Sequence, residues 1–124
     1  MTTWALKYRT DNTFDIVPFG KEQNTLTFLQ KAVDGFIERF TIQIDRFAYD
    51  VWVNEDGIRL GLPVNEFGTH LYGMNPRRSS LIFGNMIITG TDQSEDTPGM
   101  DDTEMSNLIQ YMTEWYLGTH PSKE

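Results

Sequence analysis

The sequence predicts a single α+β domain, a mostly antiparallel mixed sheet packed by two helices, in the order β-β-α-β-β-β-(short α)-β-α. Three observations predict it. Short runs alternate apolar and polar residues between turn formers, the period of half-buried strands. Two longer stretches, after Asn24 and after Asp101, repeat apolar residues at helical spacing. The chain has 124 residues, 39% hydrophobic and 13% aromatic, enough to bury one core and too few for two ordinary ones. The domain is expected over residues 1–118, with 119–124 as a flexible tail.

Taken in order, Trp4, Leu6 and Tyr8 alternate with Ala5, Lys7 and Arg9 in a first strand. Asp11 and Asn12 supply turn chemistry. Phe14, Ile16 and Pro18 form a second strand, whose proline suits an edge or a strand end. Asn24 caps a helix with the stripe Leu26, Leu29 and Val33, widened by Phe28 and Ala32; Gly35 ends it by taking a positive φ. Phe36 to Ile44 alternate as a third strand, and Asp45-Arg46 turns the chain into a fourth, Phe47 to Val53. Asn54-Glu55-Asp56-Gly57 reads as a tight turn, with glycine left-handed, into a fifth strand carrying Ile58, Leu60 and Leu62. Val64 to Tyr72 reads as one turn of helix plus loop. Leu81 to Phe83 and Met86 to Thr89 read as a buried strand interrupted at Gly84-Asn85. Asp101 or Asp102 caps the last helix, with Met105, Leu108, Ile109, Met112, Trp115 and Tyr116 as its buried stripe and Gly118 as its end.

Charge is unevenly placed. The net charge is −8, and from Thr91 onward eight acids face a single base, Lys123, against ten acids and nine bases before that point. An acidic protein is repelled by phosphate backbones within a Debye length of roughly 8 Å, so direct nucleic-acid binding is not expected. Cysteine is absent, which excludes disulfides and zinc–thiolate sites and fits a cytoplasmic protein. No long apolar run or basic-then-apolar leader is seen, so neither a membrane span nor a signal peptide is expected.

Catalytic signatures are missing from the sequence. The histidines are His70 and His120; the second is expected to be solvated in the tail, and the first divides between a hydrogen-bonded structural role and ligand contact. The segment from Asp92 offers oxygen ligands at the first, third and fifth positions of a calcium loop. It fails at the sixth, Thr97, and the twelfth, Thr103. No metal site, no cofactor and no enzymatic activity are expected. The remaining polar candidates lie on turns: Asn65, Asn85, His70 and the adjacent pair Arg77-Arg78, with Tyr72 or Trp52 to stack on a base. Turn bonding for the asparagines and surface ion pairing for the arginines are the plainer readings.

Four segments carry a resemblance: Leu29 to Glu38, Val53-Asn54-Glu55-Asp56-Gly57, Gly61-Leu62-Pro63-Val64-Asn65, and Ile82-Phe83-Gly84-Asn85 before Ile87-Ile88. Their ordered combination resembles the small-protein family known as domain of unknown function 3846, over roughly residues 26 to 90. The first strand and the acidic helical tail lie outside that stretch. The resemblance implies an origin in bacteriophages, plasmids or other mobile elements and no particular catalysis.

Two functions follow as expectations. The first is a non-catalytic phage accessory protein that binds a small anionic, nucleotide-like ligand through Asn65, Arg77, Arg78, Asn85, Tyr72, Trp52 and His70, sequestering a host-defence signal. The alternative is an acidic interaction module that inhibits a host protein through residues 92–104. Open strand edges and six methionines also predict a homo-oligomer.

Overall fold

The computed structural model describes residues 2–20, 25–74, 80–91 and 98–121. Along the chain run β1 (Trp4–Tyr8), β2 (Phe14–Pro18), α1 (Thr25–Val33), β3 (Ile37–Ile44), β4 (Phe47–Asn54), α2 (Glu66–Tyr72), β5 (Met86–Gly90) and α3 (Asp102–Thr119). The strands form one sheet in the order β2-β1-β5-β4-β3, with every pairing antiparallel. The last strand therefore enters at the centre, and all of its residues are buried. The α+β architecture with an antiparallel sheet is the one the alternation predicts.

Alternation also assigns the two faces. Leu6, Tyr8, Val51, Val53, Met86 and Ile88 point to the layer of α2 and α3, where they meet Phe67, Leu71, Met105, Leu108 and Met112. Ala5, Trp52 and Ile87 point the other way, against Leu29, Ala32 and Val33 of α1. Each fully buried Leu, Ile or Phe adds about 1.5–3 kcal/mol relative to exposure, so the larger cluster under α2 and α3 dominates the fold's stability.

Several local expectations change. Residues 55–61 are turns, not a tight hairpin and a further strand, and Ile58 and Leu60 are exposed. Gly57 has no positive φ; it is needed because a Cβ there would lie 2.7 Å from the Phe83 carbonyl oxygen. At the end of α1 the left-handed residue is Asp34, φ 60°, whereas Gly35 makes room for Asn54 Nδ2, 2.7 Å from where a Cβ would sit. Close approach, not backbone freedom, selects both glycines. Leu26 lies outside the α1 stripe and is exposed, and the expected cap Asn24 lies outside the described residues. Phe83 forms only an isolated bridge with Val64. The helix from Glu66 runs two turns rather than one. Gly118 does not stop α3, which continues to Thr119 and is capped by His120.

Candidate functional site

Two buried asparagines knit the chain's most distinctive segments together. Asn54 Nδ2 donates to the carbonyl of Val33 at 3.0 Å and to that of Asp34 at 3.3 Å. Its Oδ1 accepts from Asp56 N at 2.8 Å, so one side chain closes the end of α1 and shapes the turn after β4. Asn65 is wholly buried. Its Oδ1 caps α2 by accepting from Gly68 N at 2.9 Å, and its Nδ2 donates to the carbonyls of Gly84 at 3.0 Å and Tyr8 at 3.4 Å. A backbone pair beside it, Asn65 N to Ile82 O and Gly84 N to Pro63 O, both 2.7 Å, docks the Gly61–Asn65 segment on Ile82–Asn85. Asn85 Oδ1 accepts from Thr10 N at 3.2 Å. Asn65 is thus buried and spent on structural hydrogen bonds, and Asn85 is held to the β1–β2 turn.

Tyr72 ends α2 and meets Phe40 edge-on, ring centroids 4.9 Å apart. The two rings line a cleft of about 100 Å³ with Glu38, Glu55, Ser80 and Leu81. Arg77 and Arg78 lie outside the described residues, although the chain on either side of them, Tyr72 and Ser80, borders this cleft. Trp52 cannot join Tyr72, because it sits on the opposite face of the sheet in the α1 layer. There its Nε1 donates to Thr89 Oγ1 at 3.0 Å, and the Arg39 guanidinium lies 5.6 Å from its ring centroid. The same face buries an acid that alternation alone does not flag: Asp50, 2% exposed. Its carboxylate accepts from Thr41 Oγ1 at 2.7 Å and lies 3.7 Å from Arg39. A charged residue inside the apolar run from Ala48 to Val53 is the signal that could have found it.

His70 packs among Phe67, Tyr111 and Trp115, and its Nε2 lies 2.7 Å from the Tyr111 hydroxyl. Burial pushes the imidazole below its ordinary value and the phenol above its own. Both shifts disfavour the charged forms, and the two rings meet in a half-buried packing contact with a hydrogen bond. His120 is not a solvated tail residue. Its ring stacks on Tyr116 at 4.3 Å, and its Nε2 lies 3.6 Å from Glu66.

The surface is electrically two-sided. The helices on one face, α2 and α3, carry Glu66, Asp102, Glu104 and Glu114 and no lysine or arginine, whereas α1 on the other face carries Lys31 and no acid. Glu38 projects from β3 toward the acidic side, in step with Phe40 and Ile42. Asp101 and Glu104 form a reciprocal capping box at the start of α3, and Asp102 accepts from Trp4 Nε1 at 2.9 Å. Between α3 and the β3–β4 turn runs a groove of about 410 Å³, lined by Asp45, Glu114, Gln43, Asn107, Gln110 and Tyr111. Three bases are ion-paired locally, Arg9 with Asp15, Arg39 with Asp50 and Arg59 with Asp56, and the Arg46 guanidinium lies 5.1 Å from the Phe47 ring centroid. Among the described residues no group of three or more His, Asp or Glu could hold a metal ion, and no helix is long and apolar enough to cross a membrane.

Fold and surface together define a small three-layer α+β protein in which the helices of one face, α2 and α3, carry acids and no lysine or arginine. The chain belongs to the family described as Domain of unknown function (DUF3846), which it matches over residues 3–115. The match takes in β1 and most of α3, so the family region is wider than the stretch from 26 to 90 that the motifs suggest. No curated protein and no solved structure matches the chain.

Proposed function

We propose that the protein is a non-catalytic accessory protein of bacteriophages or mobile elements that acts by binding a basic surface of a host protein through its acidic helical face. The observation that carries this is the sign segregation of the helices, four carboxylates and no base on α2 and α3. A surface of one sign focuses its field, raises the rate of encounter with an opposite charge and repels phosphate. The acids Asp92, Glu95 and Asp96 precede α3 in the chain and add to the net negative charge of the protein. Reversing Glu66 and Glu114 to lysine tests it. Capture of a basic host protein is expected to weaken on reversal and to fall steeply with salt, whereas salt-independent capture, unchanged by reversal, contradicts the reading.

One observation favours a second reading. Tyr72 and Ser80, which flank Arg77-Arg78 in the sequence, line a single cleft, and an aromatic face with a neighbouring basic pair is chemistry suited to a small nucleotide-like anion. A thermal-shift panel of nucleotides separates the two. A shift that Arg77→Ala abolishes, with the nucleotide recovered intact, supports sequestration of a signal, and recovery of an altered nucleotide makes the protein an enzyme.

A further inference from the structure

The sheet has two edges, and they differ. Along β3 the backbone groups that point away from β4 belong to Ile37, Arg39, Thr41 and Gln43, because Glu55 N bonds Phe36 O and the pairing alternates from there. Of these, Arg39, Thr41 and Gln43 are charged or polar and discourage a further strand. Along β2, Arg9 N bonds Thr13 O and Phe19 N bonds Thr3 O, so the odd-numbered residues face β1. The groups pointing outward belong to Phe14 and Ile16. These same two residues are exposed apolar side chains, 39% and 41% accessible.

This edge is short and bounded. Pro18 has no N–H to give, and Asn12 at the other end turns away with φ 67°. Between them stand two donors and two acceptors. A groove of about 110 Å³ runs beside the edge, between Phe14 and the end of α3 at Tyr116 and Leu117, the last 63% exposed.

We propose that β2 pairs antiparallel with β2 of a second copy about a two-fold axis at Asp15, joining two sheets into one of ten strands. That register sets Phe14 against Ile16 of the mate and Ile16 against Phe14. Each pair exchanges two N–H···O bonds, so the outward donor and acceptor of both Phe14 and Ile16 are used on each chain. The side chains match as well, since aromatic and β-branched residues across a strand pair are favourable. On the opposite face the two Asp15 carboxylates meet, each already ion-paired with its own Arg9. Pro18 offers no donor beyond Ile16, so pairing is confined to Phe14 and Ile16, and a second β2 supplies donors, acceptors and apolar side chains at the same two-residue spacing. The inference stands apart from the acidic-face reading, because it uses a different edge and no helix acid.

Sedimentation equilibrium of the full chain at tens of micromolar tests it. The expected mass is about twice the 14.4 kDa of one chain. Ile16→Lys is expected to weaken association roughly tenfold or more by removing both apolar pairs. Ile16→Pro removes a donor that the β1–β2 ladder does not use and serves as the second variant. Gln43→Lys on the β3 edge is expected to leave the mass unchanged, and circular dichroism reports whether each variant folds. A monomeric wild type overturns the proposal, as does a dimer that survives both folded Ile16 variants or dissociates with Gln43→Lys.

Discussion

The side-chain amide of Asn65 donates to the carbonyl of Gly84 at 3.0 Å while its oxygen caps α2 from the other side. One buried residue thus joins two segments that lie 19 positions apart. Asn65→Ala removes a cap, worth about 1 kcal/mol, and leaves buried carbonyls without their donor, at about 1–3 kcal/mol. Urea denaturation is expected to show a loss of roughly 2–4 kcal/mol, and a loss under about 0.5 kcal/mol contradicts the hub.

Gly57 and Gly118 are expected to respond oppositely to alanine. A Cβ at Gly57 meets the Phe83 carbonyl at 2.7 Å, a backbone atom that cannot swing aside, so Gly57→Ala costs about 1–3 kcal/mol. At Gly118, in the last turn of α3, nothing lies within 4 Å, so alanine is expected to raise stability, by at most the roughly 0.8–1 kcal/mol of a helix interior. Thermal midpoints that move in the same direction contradict the packing described for Gly57.

Stability is expected to fall in mild acid through His70. Burial lowers its folded value below the ordinary 6.5, so the unfolded chain takes up the proton first. Its contribution is complete above about pH 6.5 and is lost as pH falls toward the folded value. Denaturation midpoints at about pH 7.5 and about pH 5.5 measure the slope, which His70→Gln is expected to flatten. An imidazole that titrates at its ordinary value by NMR contradicts this.

At the alkaline end the direction reverses. Burial is the main reason that Tyr8 and Tyr49 are pushed up to about 12. Tyr49 also donates to Glu104 O at 2.7 Å and accepts from Asn107. Folded values above the unfolded ones give stability that is full below about pH 10 and lost as pH rises toward 12. Ultraviolet titration of the folded protein is expected to find at least these two of the five tyrosines ionising late; all five ionising together near 10 contradicts the burial.

The sheet and the two longer helices were legible because the periods of two and of 3.6 survive in the side chains: Trp4, Leu6 and Tyr8 for β1, Met105, Leu108 and Met112 for α3. What periodicity hides is long-range approach. Gly35 and Gly57 look like turn residues until Asn54 and Phe83 arrive beside them from elsewhere in the chain. Asn65 and Trp52 looked like ligand contacts because a polar or aromatic residue near a turn has no visible partner in one dimension. Folding gives Asn65 three partners and turns Trp52 to the far side of the sheet from Tyr72. The acidity was visible as a count after Thr91, and the fold shows how it is organised: Glu38, Glu66 and the acids of α3 share one side.

The most direct test of the acidic face is isothermal titration of the wild-type protein with a defined oligo-arginine peptide at low and at physiological salt, beside the Glu66→Lys, Glu114→Lys variant. The account predicts binding by the wild type that weakens with salt and is markedly reduced in the variant. Equal binding by both proteins, or none by the wild type at low salt, would contradict it.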